Sequence, residues 1–428
     1  MCGVINLSLV YLDELCDSVS ETFDKSTKSI VLINTSDVFN GKVLNHEFVP
    51  NQDIKGQFKK LFKKDDILYS EIRPANKHYA FVDFNSEGYV ASTKLMVLRP
   101  KKDKIRPKYL YYILKNKDVV NFLQGLAESR SGTFPQITFS ELSTIDIELP
   151  SLENQDVIVN IINNIEDKIE CLENINKNLE QLMKCIFDDW FVNFSHYEDI
   201  SFKASKLGEI PSPWNVKTLG DVLITLESGK RPKGGISQVD EGIPSIGAEN
   251  ILGLAKFNYS KNKLVSHEFF NKLKKGIVQD QDVLLYKDGA QLGRKSLFMK
   301  GFPFNTCCIN EHVFLLRSNN EISQFYLYLW LDQKIMTNEI INLNSNSAQP
   351  GINQNDVKSL PILVPELEIM NKFNNIISPM MNQIFDNAIE INNLSKLRDT
   401  LLPKLMSGEI DVGINSYFMS KINKKENN

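Results

Sequence analysis

Two stretches of this chain superpose under one constant shift, and few features restrict a fold more. TFPQITFSELSTIDIELPSLENQDVIVNII begins at Thr133 and AQPGINQNDVKSLPILVPELEIMNKFNNII begins at Ala348. A shift of 215 residues brings Pro135 onto Pro350, Ile137 onto Ile352, Pro150 onto Pro365 and Leu152 onto Leu367. It then carries Ile162 onto Ile377, Ile169 onto Ile384 and Leu182 onto Leu397 without a gap. Fainter echoes come earlier. KKDDILYSEIRP (63–74) resembles QDQDVLLYKDGA (279–290), and VLRPKKDKIRPKYLYYIL (97–114) resembles LLRSNNEISQFYLYLWL (315–331). The 428 residues are therefore one unit written twice, each a strand-rich mixed globule followed by a long helix.

Both helices carry a heptad. Ile158, Ile162, Ile165, Ile169, Leu172, Asn176, Leu179, Met183 and Ile186 alternate steps of four and three; Phe373, Ile377, Met380, Ile384, Asn387, Ile391, Leu394, Arg398 and Leu401 do the same. Such a seam wants a helical partner, and one polar residue on it fixes register at some cost in stability. The closing stretch LRDTLLPKLMSGEIDV (397–412), with Leu397, Leu401, Leu402 and Leu405 at helical spacing and Gly408 as breaker, is thus expected to pack on its own copy. The fold class that follows is α+β: two strand-rich globules joined by two long antiparallel coiled-coil helices, with an internal pseudo-two-fold repeat.

A net charge of −4 hides an uneven distribution. Residues 55–117 hold sixteen Lys/Arg against six Asp/Glu, and residues 229–300 hold thirteen against seven. Residues 151–187, the first helix, hold three against seven. Basic windows suit a phosphate backbone, and an acidic rod suits a protein partner. No run of apolar residues reaches the length of a membrane span, and the start, MCGVINLSLVYLDELCD, lacks the basic region of a signal peptide, so a cytoplasmic protein is expected. The six cysteines form no C-x-x-C pair and the five histidines are scattered, so no metal site is expected; Cys307–Cys308 reads as two small core residues of a strand.

Catalytic motifs are missing. GKRPKGG (229–235) has the wrong spacing for a phosphate-binding loop, and no N-P-P-Y-like stretch for amino-methylation is present. Asp66 with Glu71-Ile72-Arg73 faintly mimics a metal nuclease, but the better expectation is a strand and turn carrying surface charges.

IFDDWFVNF (186–194), FKASKLGEIPSPWNVKTLGDV (202–222), LRDTLLPKLMSGEIDV and the paired helix openings at Leu149–Leu152 and Val364–Leu367 resemble the specificity (S) subunit of type I restriction–modification systems over nearly the whole length. The resemblance implies target recognition domains at 1–150 and 216–365. It implies conserved coiled-coil helices at 151–187 and 366–407, a linker at 188–215 and a tail at 408–428. It also implies partners: double-stranded DNA, two methyltransferase subunits docked on the helices, and restriction/translocase subunits through them. The chain itself would bind no cofactor, with S-adenosylmethionine, ATP and Mg on the partner subunits. One departure stands out. The second domain opens with Pro211-x-x-Trp214, whereas the first begins only about ten residues before the matching Leu12, so residues 405–428 are expected to return toward the N-terminus. Type II enzymes that borrow the same module, and a coiled-coil protein scaffold, are the alternatives.

Base readers must be polar or charged residues held at a groove. In the first domain the turn after DILYS offers Arg73, Asn76 and Lys77, followed by Lys94 and Arg130. In the second, SGKRPKGG offers Lys230, Arg231 and Lys233, and the turn after DVLLY offers Gln291, Arg294 and Lys295. Glu166, Glu170 and Glu173 on the acidic helix are the candidate methyltransferase-docking residues. The seam from Ile158 to Ile186 would measure about 43 Å, so half-site centres about one helical turn of DNA apart are expected.

Overall fold

The computed structural model describes residues 8–23, 26–52, 56–130, 135–197, 200–233, 235, 241–344 and 350–412, the Arg130 side chain excepted. The chain divides into two compact units, residues 1–167 with 396–428, and residues 168–395. Two helices of 40 residues each, Leu152–Phe191 and Leu367–Met406, contribute to both.

The units share one plan. In the first, a four-stranded antiparallel sheet runs in the order Cys16–Val19, Leu95–Pro100, Ile67–Ser70, Tyr79–Phe81. In the second, the order is Leu223–Ser228, Val313–Ser318, Asp282–Tyr286, Lys295–Phe298. Each unit adds a second sheet, of four strands in the first unit and three in the second, built on a parallel pair: Ser29–Ile33 with Tyr89–Ser92, and Ile243–Ile246 with Cys308–Ile309. Each then places a helix pair against its main sheet, Pro107–Leu114 with Lys117–Arg130 and Gln324–Asp332 with Lys334–Asn342. The α+β expectation holds. Cys307 and Cys308 are buried at the strand, and burial pushes the Cys308 thiol up to about 11.

The first domain opens on a short strand of four residues. Ser8–Tyr11 pairs antiparallel with Asp146–Leu149, Tyr11 opposite Asp146, just as Asn215–Thr218 pairs with Pro361–Val364, Thr218 opposite Pro361. Leu402, Leu405 and Val412 enter the first unit's core beside Ile158, Ile162 and Leu12. Residues 405–412 thus return to the N-terminal domain; residues 413–428 lie outside the described residues.

In the second unit the two long helices run antiparallel. Asn387 Nδ2 donates to Asn176 Oδ1 at 2.7 Å, and Phe187 meets Phe373 with ring centroids 5.9 Å apart. The heptad expectation needs two corrections. Burial leaves the first seam at Ile186 and passes to Phe187 and Phe191, because this end of the helix sinks into a globular core with Tyr326 and Trp214. On the second helix, Met381, Phe385 and Ala388 are buried beside the seam for the same reason, while Leu397 stays 46% exposed. The phrases IFDDWFVNF and PSPW are thereby explained as packing: Phe191, Phe194 and Tyr197 all lie against the fully buried Trp214 ring. Residues 188–215 hold the end of the first long helix, this aromatic cluster and the hairpin Phe202–Ser205/Gly208–Pro211.

Candidate nucleic-acid interface

In each unit a central strand of the main sheet ends in a turn held by the same set of backbone hydrogen bonds. In the first, Glu71 N donates to Lys94 O at 3.0 Å, Ile137 N to Glu71 O at 2.8 Å and Arg73 N to Pro135 O at 3.1 Å, with a bridge between Ile72 and Gln136. In the second, Lys287 N donates to His312 O at 3.1 Å, Ile352 N to Lys287 O at 3.1 Å and Gly289 N to Pro350 O at 2.8 Å, with a bridge between Asp288 and Gly351. This clamp accounts for the repeated Pro-x-Ile segments. Because it uses only main chain, the side chains it presents are free to differ, and they do: Glu71 against Lys287, Ile72 against Asp288, Lys94 against His312, Gln136 against Gly351.

Beyond the first clamp, Arg73, Asn76 and Lys77 are exposed around a short 3₁₀ turn, Pro74–Asn76. Arg73 and Lys77 sit in left-handed backbone at φ 44° and 58°, a conformation that costs non-glycine residues about 1–3 kcal/mol and clusters at functional sites. The turn is propped on the neighbouring helix, where Gln124 Oε1 accepts from Ala75 N at 3.0 Å. Lys94 lies close by, its ammonium 3.7 Å from Glu71 Oε2 and 3.3 Å from Gln136 Oε1. Arg130 closes the helix Lys117–Arg130, and its side chain lies outside the described residues.

In the second unit Lys230, Arg231 and Lys233 are exposed. Arg231 pairs with Glu311 at 2.8 Å and approaches His312 Nε2 at 3.4 Å. His312 Nδ1 faces Asp288 Oδ2 at 3.4 Å, and the same oxygen binds Lys287. So the glycine-rich loop and the clamp converge on one cluster. Gln291 and Arg294 are exposed in the turn that follows. Lys295 is not with them. It begins the strand Lys295–Phe298 with its side chain 2% exposed, and its ammonium donates to Thr337 Oγ1 at 2.5 Å, turned away from the surface that base reading requires. Arg294 stands exposed just before the strand, and Lys295 opens a strand whose four residues are all buried. Sequence reasoning passed over Lys287, Asp288, Glu311 and His312 as readers and weighed Glu71 only as a nuclease carboxylate. The echo of residues 63–74 in 279–290 aligns Glu71 with Lys287 and Ile72 with Asp288, but the 215-residue shift misses these pairs, and nothing in the residue types marks them as readers.

The nuclease-like Asp66 is no surface charge. It is buried, and Arg99 donates to both its oxygens, Nε at 2.9 Å and Nη2 at 2.8 Å; Asp282 and Arg317 repeat this fork in the second unit. Both carboxylates are framework. Among the described residues no cluster of His, Cys, Asp and Glu could hold a metal ion, and no helix is long and apolar enough to cross a membrane.

The three candidate docking acids differ in setting. Glu166 accepts from Lys115 Nζ at 2.6 Å and from Tyr112 OH at 3.0 Å, tying the first long helix to its own globule. Burial pushes its carboxyl up, but Lys115 and the Tyr112 hydroxyl outweigh that and hold it below the usual range. Glu170 and Glu173 are exposed.

Known proteins share both sequence and fold with this chain. The sequence pattern described as type I restriction modification DNA specificity domain matches residues 9–181 and again 211–399. The chain is similar to the type I restriction enzyme HindI specificity subunit of Haemophilus influenzae, 30% identical, covering 93% of this chain and 98% of that one. It is also similar to the type I restriction enzyme MjaIX specificity subunit of Methanocaldococcus jannaschii, 27% identical over 73% and 71% of the two chains. Its fold resembles the crystal structure of the type I restriction-modification system S subunit from M. genitalium, with a TM-score of 0.56 at 18% identity, covering 95% of this chain and 97% of that one. Matched twice and over most of its length, the chain belongs to the type I restriction-modification DNA specificity domain family and carries that domain in two copies.

Proposed function

We propose that this chain is the DNA-reading subunit of a type I restriction–modification complex. Each unit reads one half of a bipartite, asymmetric duplex target, and the long helices dock two methyltransferase subunits. Those partners bind S-adenosylmethionine and methylate adenine. Restriction subunits joined through them supply ATP-driven translocation and cleavage, while this chain contributes recognition and no chemistry, acting in the cytoplasm where the chromosome is. The observation that carries this is the repeated main-chain clamp presenting different side chains: one scaffold, two dissimilar reading surfaces.

Replacing residues 216–365 with the corresponding part of another such subunit tests it. In cells that carry the modification subunit, sequencing of methylated DNA should show one half of the motif changed and the other intact. Change in both halves, or methylation with no motif, contradicts two independent readers. For docking, Glu173→Lys is the probe, because Glu173 is exposed whereas Glu166 is engaged within its own unit. The reversal should weaken recovery of the modification subunit in pull-downs; full recovery would remove Glu173 from the interface.

A further inference from the structure

The shared clamp supplies a correspondence that charge alone does not: Glu71 and Lys94 occupy in the first unit the backbone positions of Lys287 and His312 in the second. At both places the side chains form a compact group of donors and acceptors at the open end of the sheet. In the first unit Lys94 stands 3.7 Å from Glu71 Oε2, with side-chain exposures of 47% and 23%. An ion pair this exposed contributes little to stability, about 0–1 kcal/mol, so folding does not explain it. In the second unit, His312 sits between Asp288 Oδ2 at 3.4 Å and Glu311 Oε1 at 3.3 Å. Arg231 shares that same Glu311 oxygen at 2.8 Å. The other oxygen, Glu311 Oε2, is buried with no hydrogen-bond partner. A buried acceptor without a donor is costly to keep, and here it sits beside the exposed cation of the glycine-rich loop. Once Arg231 swings off Oε1, the carboxylate opens toward a donor from outside the protein.

We propose that these two groups are the specificity-determining contacts, and that each reads a G·C pair through the major groove. Resting on the DNA-reading function above, the assignment names the residues and the base pair. Guanine offers the acceptors O6 and N7, and its cytosine offers the N4 amino donor beside them. Lys94 donates to guanine while Glu71 accepts from the cytosine amino group. In the second half-site Arg231 leaves Glu311 and donates in a fork to guanine, and the freed Glu311 accepts from cytosine, with His312 bridging it to Asp288. The exposed Arg73, Lys77, Lys230 and Lys233 then position the phosphates.

The test uses the full chain assembled with its modification subunits. Glu71→Gln with Lys94→Gln, and separately Glu311→Gln with His312→Asn, are scored by sequencing methylated DNA and by binding duplexes that differ at one base pair. Each double variant should relax one G·C position in one half-site only, cutting discrimination there by about 5- to 150-fold, the range of a good paired base contact. The salt dependence of binding should be unchanged. An intact motif with wild-type affinity overturns the proposal. So does a uniform loss over all sequences with a salt slope lower by about one, the mark of a phosphate contact. Thermal melts of each variant separate loss of contact from loss of fold, and Lys94→Arg should recover guanine preference in the first half-site if Lys94 reads the base. A wild-type complex with no sequence preference would sink the DNA-reading function itself, a result distinct from either of these.

Discussion

Burial lowers the Lys295 ammonium to a pKa of about 8, against the opposing pull of Asp332. Asp332 is shared: Lys184 of the first long helix binds it at 2.9 Å, while Lys295 lies 3.8 Å away. Below about pH 8 the folded protein carries this charge at a cost. Between about 8 and the ordinary 10.5 the native lysine has released its proton and the unfolded one has not, so the unfolded state binds more protons and stability rises with pH. Lys295→Met should remove that rise, which amounts to on the order of 3 kcal/mol over the whole window. Urea melts from pH 7 to 10.5 check it: a variant whose midpoint climbs with pH as the wild type does would assign the rise to other groups. At this scale sequence reasoning saw charge but not direction. Arg294 and Lys295 are neighbours of like type, and the surface cation is separated from the interior one by where the turn ends and a fully buried strand begins. Asp66 misled for the reverse reason: its partner Arg99 comes from another strand, and a linear sequence does not show a buried fork.

The long helices were legible because a heptad of apolar residues repeats over many turns and nothing else produces that spacing. The drift from Ile186 to Phe187 was not, since it depends on a globular core gathered from residues as distant as Tyr326. The seam asparagines found each other. Asn387 donates to Asn176 Oδ1, Asn176 donates to Ile384 O at 3.1 Å, and Gln383 donates to Asn387 Oδ1 at 2.7 Å, so the polar group is satisfied inside the seam. Asn387→Leu alone strands Asn176 Oδ1 and should cost about 1–3 kcal/mol. Asn176→Leu with Asn387→Leu should recover most of that, because both partners become apolar. Denaturation midpoints of the two single variants and the double variant close the cycle. Strictly additive losses would mean that the pair is not coupled.

For the whole molecule, the repeat announced two copies of one plan, and strand order, parallel pair and clamp all repeat. What the repeat did not announce is how unevenly the copies draw on the chain. The second unit is one contiguous stretch, Lys168–Ser395, whereas the first combines residues up to Asp167 with those from Lys396 onward. Leu402 and Leu405 are buried in the first unit's core, and each fully buried leucine is worth roughly 1.5–3 kcal/mol. A chain stopped after Ser395 should therefore leave the second unit resistant to limited proteolysis and the first one labile. Equal resistance in both would show that the first core closes without those leucines. This asymmetry gives the protein a calendar. A ribosome makes the N-terminal unit first, yet Leu402 and Leu405 of that unit's core are added only after the whole second unit. The reader made second has all its residues in hand earlier. Order of completion is thus the inverse of order of translation, and a chain released too early lacks the closing leucines of the unit that was translated first.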